Sequence, residues 1–534
     1  MSIHKIAYKE TGYFSKLICD YLEDKESLNQ FYSNFPTLEN FKKQLEAKSF
    51  SSENRSVLVS ALRNQYKNLE AGETVESAVK QLEQENTFTV TTGHQLNLFT
   101  GPLYFLYKII STITLSRKLK EAYTEYNFVP VYWMATEDHD FDEINYFRLH
   151  GKKIQWNRED IQDNDKGAVG VLKTEGLQEV FNLICAELGN THLAKELCNL
   201  FESAYLKHDT LTEATRFLAH HIFSQYGLVI VDGDDHQLKS IFAPYMKQEL
   251  LKNKAYKAVT TQAEKLEKAG YSIQVNAREI NLFYLADGIR ERIIERDSRY
   301  FVNDTSIEFS EEELLVKLEE TPESFSPNVI MRPLYQEVIL PNLAYIGGGG
   351  EIAYWLELKS FFDAVEVTFP MLMVRNSALL ITEKQQEKLK KLNVSIEDLF
   401  LNQNDLVNRK IRKISNIDVD FSSQKEYLVK QFEDLYKLAS ETDASFLGAV
   451  KAQEVKQLKG LDHLEKRLLK AQKKKLGDHV RRLTTIQNEL FPLENLQERI
   501  MNFSEFYLEY GSDLIPQLFE ALDPLDYRFT VIIK

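Results

Sequence analysis

TFTVTTGHQLNLFTGPLYFLYKIISTITLSRKLKEA, residues 87–122, decides the fold. Its first six residues are short and β-rich. A loop follows from Gly93 to Gly101, and a helical stretch begins at Pro102. Gly101 can serve as N-cap and Pro102 as first helical residue, where its missing N–H costs nothing. Together they make one strand–loop–helix unit. The pattern recurs along the chain. FVPVYWM at 128–134 reads as a buried strand and is followed by the acidic loop ATEDHDFDEIN. GLVIV at 227–231 precedes DGDDHQ and a helix from about residue 238. An extended segment at 328–340 leads into AYIGGGGEIAYWLELKSFF, a strand, four glycines and a helix, and FPMLMV at 369–374 gives one more strand. Strands alternating with helices predict an α/β fold with a mostly parallel sheet and right-handed crossovers.

Outward from that core, residues 1–86 read as a mostly helical segment joined to it. The core spans 87–380, with insertions at about 150–220 and 250–325. After about 380 the β signal stops, and 381–490 reads as a helical coiled-coil arm. Leu428, Phe432, Leu435 and Ala439 mark a first helix. Asp443 is placed to cap a second one reaching about residue 490, with a seam at Leu461, Leu464, Leu468, Val480 and Leu483. At 1.5 Å per residue such a helix would reach roughly 65–70 Å, too long to bury its seam on a compact domain. It therefore needs an antiparallel partner helix, a second subunit, or both. Residues 491–534 form a C-terminal segment returning to the core.

The 534 residues are 43% hydrophobic and 27% charged, which fits a globular protein of two or three domains and excludes disorder. The net charge of −15 argues against a mainly electrostatic nucleic-acid binder, though one basic pocket can still take a small anion. No run of about 18 apolar residues points to a membrane span, and the start shows no signal-peptide pattern. Cys19, Cys185 and Cys198 are too scattered for a disulfide framework and read as ordinary thiols of a cytoplasmic protein.

Three segments can carry chemistry. In the first, Gly93, His94, Gln95, Thr100 and Gly101 surround a helix N-terminus, whose free N–H groups suit a phosphate or acyl-phosphate oxygen. In the second, Asp138, His139, Asp140 and Glu143 belong to a cluster of five carboxylates and one imidazole directly after a buried strand. It could bind a metal, orient a His base or hold an amine. In the third, Gly348 and Gly349 let backbone approach a ligand, and Glu351 follows in the first helical turn, able either to offset the helix dipole or to hold an ammonium group. Arg332 and Arg375 flank predicted strands and could clamp carboxylates or phosphates. No residue is assigned as a metal ligand.

These motifs resemble the bacillithiol-biosynthesis cysteine-adding family, BshC. The stretches carrying the resemblance are TGHQLNLFTGPLYFLYKI, VPVYWMATEDHDFDEIN, GLVIVDGDDHQLK, SPNVIMRPLYQEVILPNLAYIGGGGEIAYWLELK and LFPLENLQER, which run from about residue 90 to 500. The resemblance implies a Rossmann-like core with connecting-peptide insertions and a coiled-coil arm that promotes a homodimer. It also implies a ligase that joins cysteine to glucosaminyl-malate by an amide bond in the cytoplasm. ATP would be the activating nucleotide, ADP could bind, and the need for a metal stays open. On that reading an activating phosphate sits near residues 93–102, and His139, helped by Asp138 or Asp140, is the expected base. Glu351 and Arg332 hold substrate charges. A dimeric nucleotide-binding scaffold and a metal-dependent hydrolase are the alternatives.

Overall fold

The computed structural model describes residues 1–158 and 167–534; part of the first insertion, 159–166, lies outside the described residues. At its centre five parallel strands run in the order Met371–Val374, Asn342–Gly347, Thr87–His94, Asn127–Met134, Val229–Asp232. The first of them in sequence, Thr87–His94, is central and buried along its whole length. From it the chain moves outward through two strands, then returns to build the other side. The order therefore reverses between Thr87–His94 and Asn342–Gly347, and that is where ligands bind in open α/β sheets. The expected Rossmann-like α/β core is the observed one.

The insertions differ from each other. Residues of the first form a two-stranded hairpin (Tyr146–Leu149, Lys152–Gln155) and three helices, Leu177–Leu188, His192–Tyr205 and Leu211–Phe223. The second adds helices and an antiparallel five-stranded sheet that includes Leu282–Ala286 and Ile289–Arg296. Side-chain caps fix several helix starts: Thr210 with Glu213 and Ser310 with Glu313 form reciprocal capping boxes.

Several expectations need correction. The β signal does not end near 380: Ala378–Ile381 and Arg528–Ile533 pair in parallel, and Ser2–Ala7 adds to the latter antiparallel. A strand thus opens the segment read as helical. The stretch read as extended at 328–340 contains the helix Met331–Ile339; Pro333 sits in its first turn, where no N–H is required. The helix after the first loop starts at Tyr104 rather than Pro102. Before it, Phe99, Thr100 and Gly101 all have positive φ (48°, 67° and 63°). At Gly101 a Cβ would come within 2.6 Å of the Asn97 Cβ, so only glycine fits. This left-handed turn is pinned from outside. The Tyr205 hydroxyl accepts from the Phe99 N–H (2.8 Å), and the Asn502 amide donates to the Phe99 and Gly101 carbonyls (2.8 and 2.6 Å). Cys185 and Cys198, expected as free thiols, are joined by a disulfide. A short connection folds their two helices back on each other and brings their Cα atoms to 5.7 Å.

The arm is an antiparallel hairpin of Ser422–Ser440 and Ala444–Lys475, with Asp443 capping the second helix through the Ser445 and Phe446 N–H groups. Phe432, Ala439 and Val450 form its small core. Lys425 bridges to Asp462 (2.7 Å) and Glu465 (2.8 Å). The long helix is not continuous to 490: it breaks at Leu476, and Gly477–Leu490 packs on Gln403–Ile414 through Leu483, Leu406, Val407 and Ile411. Leu464, expected in the seam, is 53% exposed.

One buried carboxylate makes the fold sensitive to pH. Glu357 accepts from the Gln274 and Val275 N–H groups (2.6 and 3.4 Å), and burial pushes its pKa up to about 7. Between the unfolded value near 4.5 and about 7 the native state holds the extra proton, so stability falls as pH rises through that window. Glu357→Gln should flatten that fall, which amounts to at most ~3 kcal/mol. Urea titrations at several pH values would show it, and parallel curves for wild type and variant would refute it.

Candidate active site

The carboxyl ends of the parallel strands open into a cavity of about 1640 Å³. Its lining holds nine cationic side chains and seven carboxylates, so it is basic on balance inside an acidic protein. Of the fourteen residues singled out from sequence, Gly93, His94, Gln95, Asp138, His139, Asp140, Glu143, Arg332, Gly348, Gly349, Glu351 and Arg375 line it. Thr100 and Gly101 do not; they belong to the left-handed turn described above.

The end of the central strand forms one wall. Gly93 leaves space there: a Cβ would face the Tyr345 hydroxyl at 3.4 Å and Arg332 at 3.7 Å. His94 is buried, and its Nε2 has no hydrogen-bond partner. Burial, then the charge of Lys108, hold its pKa well below the ordinary histidine value, so the ring is neutral. Gln95 points elsewhere than expected. Its amide bridges the Asp138 carboxylate (2.8 Å) and the Glu143 carboxylate (2.9 Å), bracing the acidic loop instead of facing a phosphate.

Beside this wall lies the glycine run. Gly348 is the N-cap of the helix Gly349–Trp355, and the Glu351 carboxylate returns to accept from the Gly348 N–H at 2.7 Å. Glu351 also accepts from the Tyr345 hydroxyl (2.7 Å) and is ion-paired to Lys108 (2.6 Å). Lys108 in turn donates to the Gly93 carbonyl (2.7 Å), so one buried ammonium joins the two glycine loops. Burial would raise the Glu351 pKa, but Lys108 and the hydrogen bonds win and hold it low. Glu351 therefore has an internal cation where a substrate ammonium was expected.

Three arginines of the cavity keep unpartnered nitrogens: Arg290 at Nε, Arg332 at Nη2 and Arg375 at Nε. Arg332 lies over the rings of Trp133 and Tyr345, donates to Gln336 (3.2 Å), and leaves Nη2 without a partner. Arg332 comes from a helix rather than from a strand end. Arg375 follows the edge strand, pairs with buried Glu498 (2.8 Å), and leaves Nε free. Buried donors without acceptors are costly, and an anion in the cavity would satisfy them.

The acidic loop divides into two parts. Glu137 turns inward to Lys239 (2.7 Å), which also pairs with Asp234 (2.9 Å). The second acidic turn is consumed in the same way: Asp235 caps a helix, and His236 meets Glu323 at 2.7 Å. Asp138 faces the cavity. Burial works to raise its pKa, yet bonds from His139 and Gln95 and the nearby Arg290 hold it well below the usual carboxylate range. The nearest ring partner of His139 is neither Asp138 nor Asp140. Its Nδ1 is 3.6 Å from the Asp138 carboxylate but 2.9 Å from the Arg290 guanidinium. Among the described residues no cluster of three or more metal-ligating side chains occurs.

Sequence reasoning missed Lys108, Lys239 and Arg290. Lys108 had a signal, being the one charge inside the apolar run of residues 103–113. Arg290 had none, because it reaches the site only through the register of an inserted sheet.

Comparison with known proteins bears on the same architecture. Residues 1–376 match the family model "Bacillithiol biosynthesis BshC, N-terminal Rossmann-like domain", and 378–533 match "Bacillithiol biosynthesis BshC, C-terminal coiled-coil domain". A relative from Christiangramia forsetii named "Putative cysteine ligase BshC" is 59% identical over 100% of this chain and 99% of its own. One of the same name from Flavobacterium johnsoniae is 59% identical over 99% of each chain. A Bacillus cereus relative, again so named, is 29% identical over the full length of both. With the parallel-sheet core and the coiled-coil arm both matched, the chain belongs to the BshC family of bacillithiol biosynthesis.

Proposed function

We propose that this protein is a cytoplasmic ligase that joins the cysteine carboxyl group to the amine of glucosaminyl-malate, with ATP activating the carboxylate. The observation that carries the reading is the cavity at the sheet's reversal point, where Arg332 and Arg375 hold buried, unsatisfied donors on an acidic protein. Such donors suit the phosphates of a nucleotide or the carboxylates of a malate group. An amine attacks only when its carboxyl partner carries a good leaving group. The new C–N bond forms as the phosphate-bearing group departs, and the amine gives up a proton. Asp140 and Glu143, exposed on the cavity wall, are the carboxylates placed to receive it.

The test is direct. Purified protein with cysteine, glucosaminyl-malate and ATP should yield the amide, detected by mass, and leaving out any one of the three should abolish it. Thermal-shift titration with each ligand separates this from a scaffold role, since a ligand stabilises what it binds. Stabilisation by nucleotide with no product under any condition would favour the scaffold.

The homodimer belongs to the same proposal. The arm exposes Tyr427, Leu435, Leu438, Leu447, Val455 and Leu464, apolar side chains that a second copy of the arm would cover. Replacing 428–459 by a short Gly-Ser turn, which keeps the Lys425–Asp462 pair, should give a folded monomer by sedimentation. A dimer in that variant would place the interface elsewhere.

A further inference from the structure

We propose that Arg290, brought in by the second insertion, fixes His139 as a hydrogen-bond donor to the reacting centre and removes it as a base. The proposal rests on the ligase reading for what the donor meets, but its geometry stands by itself. A guanidinium has donors only. Its Nη1 lies 2.9 Å from His139 Nδ1, so that nitrogen must present its lone pair. The single proton of the neutral ring is then on Nε2. Protonating Nδ1 would set one N–H against another beside a fixed cation.

Arg290 is held in place. It is 8% exposed, and its guanidinium lies 4.1 Å from the centre of the Phe283 ring. Burial works against its charge and lowers its pKa, and the nearby carboxylates of Glu137, Asp138 and Asp140 oppose that shift. Asp138, the alternative partner for the ring, is already engaged. It accepts from the His139 N–H (2.7 Å) and the Asp140 N–H (3.4 Å), and sits 3.6 Å from Nδ1. Phe283 also covers the ring from the same inserted sheet, with centroids 6.2 Å apart.

An N–H donor in the cavity suits the oxygen on which charge develops when the amine attacks, whether that oxygen is carbonyl or phosphoryl. Arg290 is thus a positioning residue that acts through His139. It also makes the inserted sheet part of the active site: without that sheet His139 would be free to take either tautomer.

Ring nitrogen-15 spectra of the full chain, with His139 assigned by its loss in His139→Gln, read the tautomer without substrate. Wild type should show a protonated, pyrrole-type Nε2 and a pyridine-type Nδ1. Arg290→Met should give a mixture and lower kcat more than KM, and Arg290→Lys, which keeps a donor, should restore much of both. In the ligation assay His139→Gln, whose amide nitrogen replaces Nε2–H, should stay within about tenfold of wild type, while His139→Ala should lose about 10²–10³-fold. A pyridine-type Nε2 or a doubly protonated ring in wild type overturns the proposal. So does a Gln variant as inactive as the Ala variant. If the tautomer is as stated and no ligation is found, the reaction is wrong and the His139 assignment stands.

Discussion

Arg375→Met should lower the stability of the protein by about 3–5 kcal/mol, the cost of leaving one member of a buried ion pair alone. Arg375 and Glu498 are both almost fully buried and 2.8 Å apart. The arginine also donates to the Asn376 carbonyl (2.9 Å) and the Ser377 hydroxyl (3.1 Å), and Glu498 accepts from the Ala378 N–H (2.8 Å). The pair thus joins the edge of the parallel sheet to the C-terminal segment and to the start of Ala378–Ile381 in the three-stranded sheet. Removing only the cation strands the Glu498 carboxylate without water. The double variant Arg375→Met, Glu498→Met should recover a large part of the loss, because two matched apolar groups leave no buried charge. Chemical denaturation of the two singles and the double gives the coupling. If the losses simply add, the pair is not coupled.

The second large effect falls on activity. Arg332→Met should reduce ligation by about 10²–10³-fold, measured at a temperature where the variant is still folded. Its Nη2 has no protein acceptor, so losing that donor deprives a bound anion, while the bond to Gln336 and the contacts with the Trp133 and Tyr345 rings are the structural part of the loss. Arg332→Lys should recover only part, since an ammonium cannot reproduce the planar fork held over Trp133 and Tyr345. Rates for the three proteins decide this: full activity in Arg332→Met would remove the anion from that wall of the cavity.

Four of the five core strands were legible because each is a short β-rich run followed by glycine or acidic residues, and such punctuation survives in one dimension; Met371–Val374, followed by Arg375, was legible from its apolar run alone. The helix Met331–Ile339 was hidden, because prolines at 333 and 341 frame it and bias a reader toward extended chain. The three-stranded sheet of Ser2–Ala7, Arg528–Ile533 and Ala378–Ile381 could not be read at all: Ser2 pairs with Ile533, and no local pattern announces a partner so far away. The site divides along the same line. Segments following strand ends announced eleven of the twelve cavity-lining residues, Arg332 being the exception on a helix. Their roles shifted wherever a partner came from elsewhere, as with Lys108 on Glu351 and Arg290 on His139. Gln95 was read as facing a phosphate because sequence shows that a donor is exposed on a turn, not which acceptor lies across it.

The Asn502 bonds to Phe99 and Gly101 set an order of events in folding. They close a loop of about 400 residues that contains both insertions and the whole arm. Contacts at such separation form late, after local helices and the hairpin arm, because the entropy of closure must be met before they return anything. Refolding should therefore restore helical signal early and the strained turn beside the active site last. A chain caught between those stages would carry a formed arm and a cavity still unmade.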